Sequence, residues 1–347
     1  MSEADLKLSL LLLLCGSALG LVVGLWARPL GEAFGLLDHP DPAGGRKIHR
    51  NVTPLVGGLG LVTAGLAGTA AVALAGPSGP GPAVCLWLSV SVLGMALIGM
   101  LDDRTAMSPR LRLALATLAL LVPVLLVPEL RVAALDFGAW SVPLPGAAGV
   151  AFTLLCLVGL LNAVNMADGK NGLVIGQALV WTAVLALRLP PHMLPLMAAL
   201  LGALAVLFLF NLRGRLFLGD GGSYALSAMF GLLAIYAWNL RGDAFFAWDI
   251  VVIFALPVLD TLRLIAHRLR QGRSPFAPGR DHLHHYLHRR WGWPAPLPAV
   301  LALVALANLG ALLLPGTGMV WFVLTLGGYV VLLAAATRAP ERARLPA

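Results

Sequence analysis

Asp102 and Asp103 stand side by side after the apolar stretch Leu97-Ile98-Gly99-Met100-Leu101. Adjacent carboxylates repel, and the C-terminal end of a helix disfavours negative charge. The pair makes sense where a divalent cation or the nearby Arg104, Arg110 and Arg112 neutralise it. A second polar segment runs Asn162-Ala163-Val164-Asn165-Met166-Ala167-Asp168-Gly169-Lys170-Asn171-Gly172. Asn162 and Asn165 share one helix face, and Asp168-Gly169 then turns the chain. Such amides and a carboxylate can read a base or ribose by hydrogen bonds and can join a metal shell. Asp220, in Gly219-Asp220-Gly221-Gly222-Ser223, has glycines on both sides and precedes a helix start. Backbone can approach a phosphate closely there, and Asp220 is a candidate metal ligand. The last cluster is Asp260-Thr261-Leu262-Arg263 followed by Asp281-His282-Leu283-His284-His285. Asp260, Arg263 and His267 share a helix face; Arg263 either grips a phosphate or pairs with Asp260. The histidines lack HExxH spacing and nearby cysteines, which argues against zinc and for cationic donors to a pyrophosphate.

These residues sit between apolar runs. Of 347 residues, 59% are apolar and 12% charged, against about 25% charged in a soluble domain. Most of the outside must therefore face lipid. The sequence predicts an all-α integral membrane protein, one polytopic domain over 1–347. Its eleven candidate spans lie near 6–26, 54–75, 83–101, 111–128, 147–165, 172–187, 193–211, 223–239, 248–268, 295–314 and 318–337. The runs are continuously apolar, which excludes a closed barrel. The first is long for a signal-peptide core and reads as a retained helix.

With eleven spans, all but four of the 24 Lys and Arg residues fall on one side; Lys7, Arg131, Arg188 and Arg241 are the exceptions. Excess positive charge marks the cytoplasmic side, so that face and the C-terminus are placed there. The net charge of +8 thus reflects topology rather than nucleic-acid binding. Every polar cluster above lies on the same cytoplasmic face, including Lys47, His49 and a loop of about 269–294 carrying the histidines. Intramembrane ionisable groups are costly and are kept where they face a cavity or partner.

Other features read as packing. Gly16, Gly20 and Gly24 would admit a close helix neighbour, and Gly57, Gly58 and Gly60 lack the GxxxxGK[ST] of a phosphate loop. Cys15, Cys85 and Cys156 lie in different runs without ligand spacing. Residues 129–146 form the longest outer loop, with room for a short hairpin. No internal repeat of the transporter kind is visible.

The ordered motifs resemble those of the polyprenyl-phosphate N-acetylhexosamine-1-phosphate transferases, the superfamily that includes MraY and WecA. They are Arg46-Lys47-Ile48-His49 leading to Pro54-Leu55-Val56-Gly57-Gly58, and Asp102-Asp103 with Ser108-Pro109-Arg110-Leu111-Arg112. The Asn162 segment, Gly219-Asp220-Gly221-Gly222-Ser223 and Asp260-Thr261-Leu262-Arg263 follow. The last is Ser274-Pro275-Phe276 with His282-Leu283-His284-His285, which resembles the WecA and teichoic-acid-initiating branch. The resemblance spans Arg46 to Trp293.

It implies transfer of N-acetylhexosamine-1-phosphate, above all GlcNAc-1-phosphate, from a UDP-sugar to undecaprenyl phosphate. UMP would leave, and the lipid-diphospho-sugar would initiate cell-envelope polysaccharide such as O-antigen at a bacterial inner membrane. It further implies Mg2+ (or Mn2+) on Asp220 with Asn165 as second ligand, and Asp102 deprotonating or orienting the lipid phosphate. Asp103 would support the cation network. Lys47, Arg112, His282, His284 and His285 would contact phosphates. Asp168 and Asn171 would hold uridine, and Asn162 and Arg263 join the substrate-binding set. The family usually carries Asp where this chain has Asn171. A homodimer is compatible with all this. The competing readings are MraY-type transfer of phospho-MurNAc-pentapeptide and a non-catalytic polyprenyl-phosphate flippase. A flippase predicts ionisable groups at the midplane or on both faces.

Overall fold

A computed structural model describes residues 3–40, 51–74, 82–240, 245–274 and 279–338. Among them lie fourteen α-helices. These are α1 (Glu3–Leu25), α2 (Ala27–Phe34), α3 (Gly57–Leu74), α4 (Pro82–Thr105), α5 (Pro109–Leu126), α6 (Ala147–Ala167) and α7 (Leu173–Arg188). They continue with α8 (Leu194–Leu212), α9 (Gly219–Asn239), α10 (Ala247–Ile253), α11 (Ala255–Arg270), α12 (Leu283–Trp291), α13 (Leu297–Leu313) and α14 (Gly318–Thr337). Two short antiparallel pairs complete the set: β1 (Leu37–Asp38) with β2 (Thr53–Pro54), and β3 (Ala134–Asp136) with β4 (Ser141–Pro143). The second pair is the hairpin expected in residues 129–146.

In the described residues, each of the eleven apolar runs is mainly helical, as backbone in lipid must satisfy its own hydrogen bonds. One run is not a single helix. Residues 248–268 fold as α10 and α11, bent by 80° at Phe254. At the bend the carbonyl of Val252 accepts the Phe254 N–H and, at 3.4 Å, the Asn308 amide of α13. Among the described residues, seven helices are long and apolar enough to cross a membrane, or eight counting the bent pair. The chain is a multi-pass membrane protein. The shortfall from eleven has physical causes: α7 and α13 have 16 and 17 residues, and α9 is long but less apolar.

Helix α9 can be less apolar because it meets little lipid. All its residues except Asp220 and Asn239 are buried, with α3, α4, α6 and α7 packed around it. Small residues permit these approaches. A Cβ on Gly58 would lie 2.5 Å from the Gly222 Cα, and one on Gly16 would overlap the Ala199 backbone of α8. Both glycine groups therefore serve packing. At the start of α5, Ser108 Oγ accepts from the Leu111 N–H at 3.3 Å and Pro109 occupies the first helical position. That cap sets the direction of the helix that delivers Arg112.

Candidate active site

The polar ends of α4, α5, α6, α9, α11 and α12 meet at one end of the bundle. Asp102, 5% exposed near the end of α4, accepts three hydrogen bonds. Oδ1 takes the Met107 N–H at 2.8 Å; Oδ2 takes the Tyr224 hydroxyl at 2.7 Å and Arg112 Nη1 at 3.2 Å. With both oxygens engaged, Asp102 fixes Arg112 rather than standing free as a base.

Asp103 turns the other way. Its oxygens accept the backbone N–H groups of Asp220 and Gly221, each at 3.1 Å. This caps the N-terminal end of α9 by satisfying two of its free backbone N–H groups. The cap requires glycine at 219, where φ is +74° and a Cβ would lie 2.9 Å from Asp103 Oδ2. Asp220 Oδ1 accepts from Asn165 Nδ2 at 2.6 Å, and the same amide nitrogen reaches Ser223 Oγ at 3.1 Å. Asn165 thus holds the candidate ligand as a donor. Asn162 instead donates back to the Val158 carbonyl of its own helix at 2.7 Å.

Asp102 and Asp103 lie within the electrostatic field of Asp220, and so does Asp168. Burial, then the charge of Asp220, lifts the Asp168 carboxyl to about 7. Burial is the larger cause, and the Asp220 charge adds to it. Among the described residues no three His, Cys, Asp or Glu side chains form a closed metal cage. The Asp103 orientation explains part of this. Mg2+ needs no cage: it keeps several waters and takes one or two carboxylates plus substrate phosphates. Asp220 beside Asp102 fits that demand.

The second half of the site is built on Asp260, 6% exposed in α11. Its Oδ1 accepts from Arg263 Nη2 at 2.9 Å, the Tyr329 hydroxyl at 2.8 Å and the Leu283 N–H at 3.1 Å. Oδ2 pairs with His282 Nδ1 at 2.9 Å. Arg263 also donates through Nε to Tyr329 at 2.6 Å and through Nη2 to the Asp281 carbonyl. Of the two roles open to Arg263, the structure places it on Asp260. His267 turns to Gln271 at 3.1 Å, away from the cluster.

The imidazoles of His282, His284 and His285 pack together, with centroids 5.2 Å apart for His282–His284 and 4.2 Å for His284–His285. Burial, then the neighbouring histidines, pushes His284 well below its ordinary pKa; burial and His282 bring His285 down to about 4. These two rings are neutral at pH 7, where the sequence had suggested cations. His284 Nε2 lies against Gly169, where any Cβ would overlap it. The Asp168-Gly169-Lys170 turn therefore joins the two halves. Asn171 lies beside Gly214, its carbonyl accepting from Trp293 Nε1 at 2.8 Å. Lys47, with Arg46 and His49, lies outside the described residues, as does most of Ser274-Pro275-Phe276. Its flank is tied to the site end: Phe217 N–H bonds Pro54 O at 2.8 Å, and Gly57 N–H bonds Phe217 O at 2.9 Å.

The chain is 31% identical over 277 residues to the undecaprenyl-phosphate alpha-N-acetylglucosaminyl 1-phosphate transferase of Yersinia pestis, covering 76% of this chain and 72% of that one. The model of glycosyl transferase family 4 matches residues 85–238. The chain belongs to glycosyl transferase family 4. The Escherichia coli K12 protein of the same name is 29% identical over 300 residues, 83% of this chain and 78% of its own. A decaprenyl-phosphate N-acetylglucosaminephosphotransferase of Mycolicibacterium smegmatis is 29% identical over 312 residues, 76% and 73% of the two chains. The match to the glycosyl transferase family 4 model takes in Asp102, Arg112, Asn165 and Asp220.

Sequence reasoning missed Tyr224, Tyr329 and Asn211. Asn211 accepts the Gly172 N–H at 2.6 Å and donates to the Leu216 carbonyl at 3.0 Å, stapling two loops of the site. A signal existed for the tyrosines. The chain has four, and a buried phenol needs a hydrogen-bond partner.

Proposed function

We propose that this glycosyl transferase family 4 member moves N-acetylglucosamine-1-phosphate from UDP-N-acetylglucosamine to undecaprenyl phosphate and releases UMP. The carrying observation is the convergence of Asp102, Asp103, Arg112 and Asp220 at one end of a lipid-facing bundle. The names of the relatives support the donor and acceptor. The reaction is placed at the cytoplasmic face of a bacterial inner membrane, with eleven crossings and a cytoplasmic C-terminus. The Lys and Arg distribution supports that orientation.

Phosphoryl transfer asks a protein mainly for positioning and charge neutralisation. An oxygen of the lipid phosphate bonds to the sugar-linked phosphorus. The bond from that phosphorus to the UMP oxygen breaks, and the electron pair leaves with UMP. A lipid phosphate is already largely ionised near neutral pH, so direct displacement needs no base. This suits an Asp102 whose lone pairs are engaged in holding Arg112 for a phosphate. Mg2+, or Mn2+, held by Asp220 beside Asp102, would supply Lewis-acid neutralisation of the charge gathering on the leaving oxygen. Asn165 keeps Asp220 in place, and the Asp103 cap keeps α9 in register with α4. The histidine N–H groups and Lys47 meet the donor pyrophosphate; Asp168 and Asn171 meet the uridine.

The test is UMP release by purified protein given Mg2+, undecaprenyl phosphate and a panel of UDP-sugars that includes UDP-MurNAc-pentapeptide. The expected result is UMP and lipid-diphospho-GlcNAc with UDP-GlcNAc. Turnover only with the pentapeptide donor would reassign the sugar, and no turnover with any donor would overturn the enzymatic reading.

A further inference from the structure

The histidine half of the site depends on a residue from the last helix. Tyr329, 3% exposed in α14, lies between Arg263 and Asp260. Arg263 Nε donates to its oxygen at 2.6 Å, so the phenol proton is left to point at Asp260 Oδ1, 2.8 Å away. Arg263 Nη2 bonds the same Oδ1 at 2.9 Å and closes a triangle. The direction of every bond in that triangle is fixed, because Arg has no acceptor and an ionised carboxylate has no donor.

The carboxylate so held does two things for the histidines. Its Oδ2 takes His282 Nδ1, so Nε2 is the atom that His282 can offer to a ligand. Its Oδ1 also accepts the Leu283 N–H, the first of α12. One carboxylate therefore sets the His282 ring and the start of the helix that carries His284 and His285. Any shift of Asp260 moves all three rings.

We propose that Tyr329 is a positioning residue for the donor site, acting through Asp260 on the histidines without touching substrate. The proposal rests on the reading above, in which the histidines meet the donor pyrophosphate. Its consequence is asymmetric. Loss of the hydroxyl should weaken use of the nucleotide donor and spare the lipid acceptor, whose phosphate we place at the Asp102–Arg112 pair on the opposite half.

The experiment compares full-length Tyr329→Phe with Thr325→Val. Thr325 lies one turn earlier on α14 and donates only to its own helix, at Trp321 O, 2.7 Å. Two readouts are taken on each protein in lipid nanodiscs. Steady-state kinetics with UDP-GlcNAc and undecaprenyl phosphate should show the donor KM of Tyr329→Phe raised about tenfold, the usual scale for losing a hydrogen bond to a charged group. The acceptor KM should stay within twofold, and Thr325→Val should match wild type in both. Amide hydrogen exchange at residues 282–286 should quicken in Tyr329→Phe alone. Unchanged exchange in Tyr329→Phe overturns the proposal, as does a donor KM within twofold of wild type or an equal rise in both KM values. A wild-type protein with no turnover sinks the proposed function instead. The exchange comparison would still decide whether Tyr329 holds the loop.

Discussion

Asp220 and Asp260 are carboxylates at the same end of one bundle, and the protein treats them in opposite ways. Asp260 receives an arginine, a histidine, a tyrosine hydroxyl and a backbone N–H. Asp220 receives the Asn165 amide and faces the charge of Asp102 and, farther off, Asp168. One half is completed by its own residues; the other holds negative charge in excess. A site for a cation-bridged pyrophosphate needs both: a rigid wall of donors, and an electronegative opening that the ligands themselves neutralise.

Removing Asp220 should break this contrast most severely. Asp220→Ala should lower Mg2+-dependent kcat by on the order of 10^3-fold, the upper scale for losing one electrostatic stabiliser. Its melting temperature should hold or rise, since a repelling charge is gone. UMP release and thermal melts on the same preparation check both. Near wild-type turnover would remove Asp220 from the cation site.

Gly99→Ala should come next. A Cβ there would overlap the Asp220 carbonyl, so α4 and α9 must part. Because Asp102 and Asp103 follow on the same helix, the carboxylates would separate by a fraction of an ångström to an ångström. Misplacement on that scale costs up to about 10^2-fold in rate. The histidine half should be untouched, so amide exchange at α12 should stay at wild-type rates while kcat falls.

Asp260→Asn strikes the other half. An amide can no longer accept from Arg263, Tyr329 and His282 together, and it leaves a largely buried guanidinium short of its partner. Breaking a buried pair from one side costs about 3 kcal/mol or more, read as a lower melting temperature. Activity should fall about tenfold through the donor KM, less than for Asp220→Ala. A variant that loses activity without losing stability would show that Asp260 acts on substrate directly.

How much of this could be read beforehand differs between the halves. The carboxylate half was legible because Asp102, Asp103, Asp168 and Asp220 are expensive residues beside apolar runs, where sequence alone flags them. Their division of labour was not. Whether a carboxylate faces substrate or caps a helix depends on how α4 crosses α9, and that rests on Gly99 and Gly221, whose meaning is three-dimensional. The histidine half was legible as a motif but misread in charge, since the burial that keeps His284 and His285 neutral comes from distant packing. Tyr329 lies in an apolar helix far along the chain. The bend at Phe254 was hidden because α10 and α11 share one apolar run, and apolar patterning carries no signal for direction.

The two halves should also oppose each other in pH, and this is the smallest and sharpest test. His284 and His285 titrate below the ordinary histidine value of about 6.5, His285 at about 4. Between those values the unfolded chain binds protons that the folded rings refuse, so the histidine half loses stability as pH falls from 7 to 5. Asp168, raised to about 7 by burial and Asp220, does the reverse. The folded protein keeps a proton there that the unfolded chain has released above about 3.9. The carboxylate half therefore loses stability as pH rises over the same window. Without Mg2+ the two slopes partly cancel in wild type. Asp168→Asn should steepen the drop in melting temperature between pH 7 and pH 5, and His285→Gln should flatten it, each by a few degrees. Slopes that shift in the same direction in both variants would mean that the halves do not differ in charge, and the contrast between Asp220 and Asp260 would fail with them.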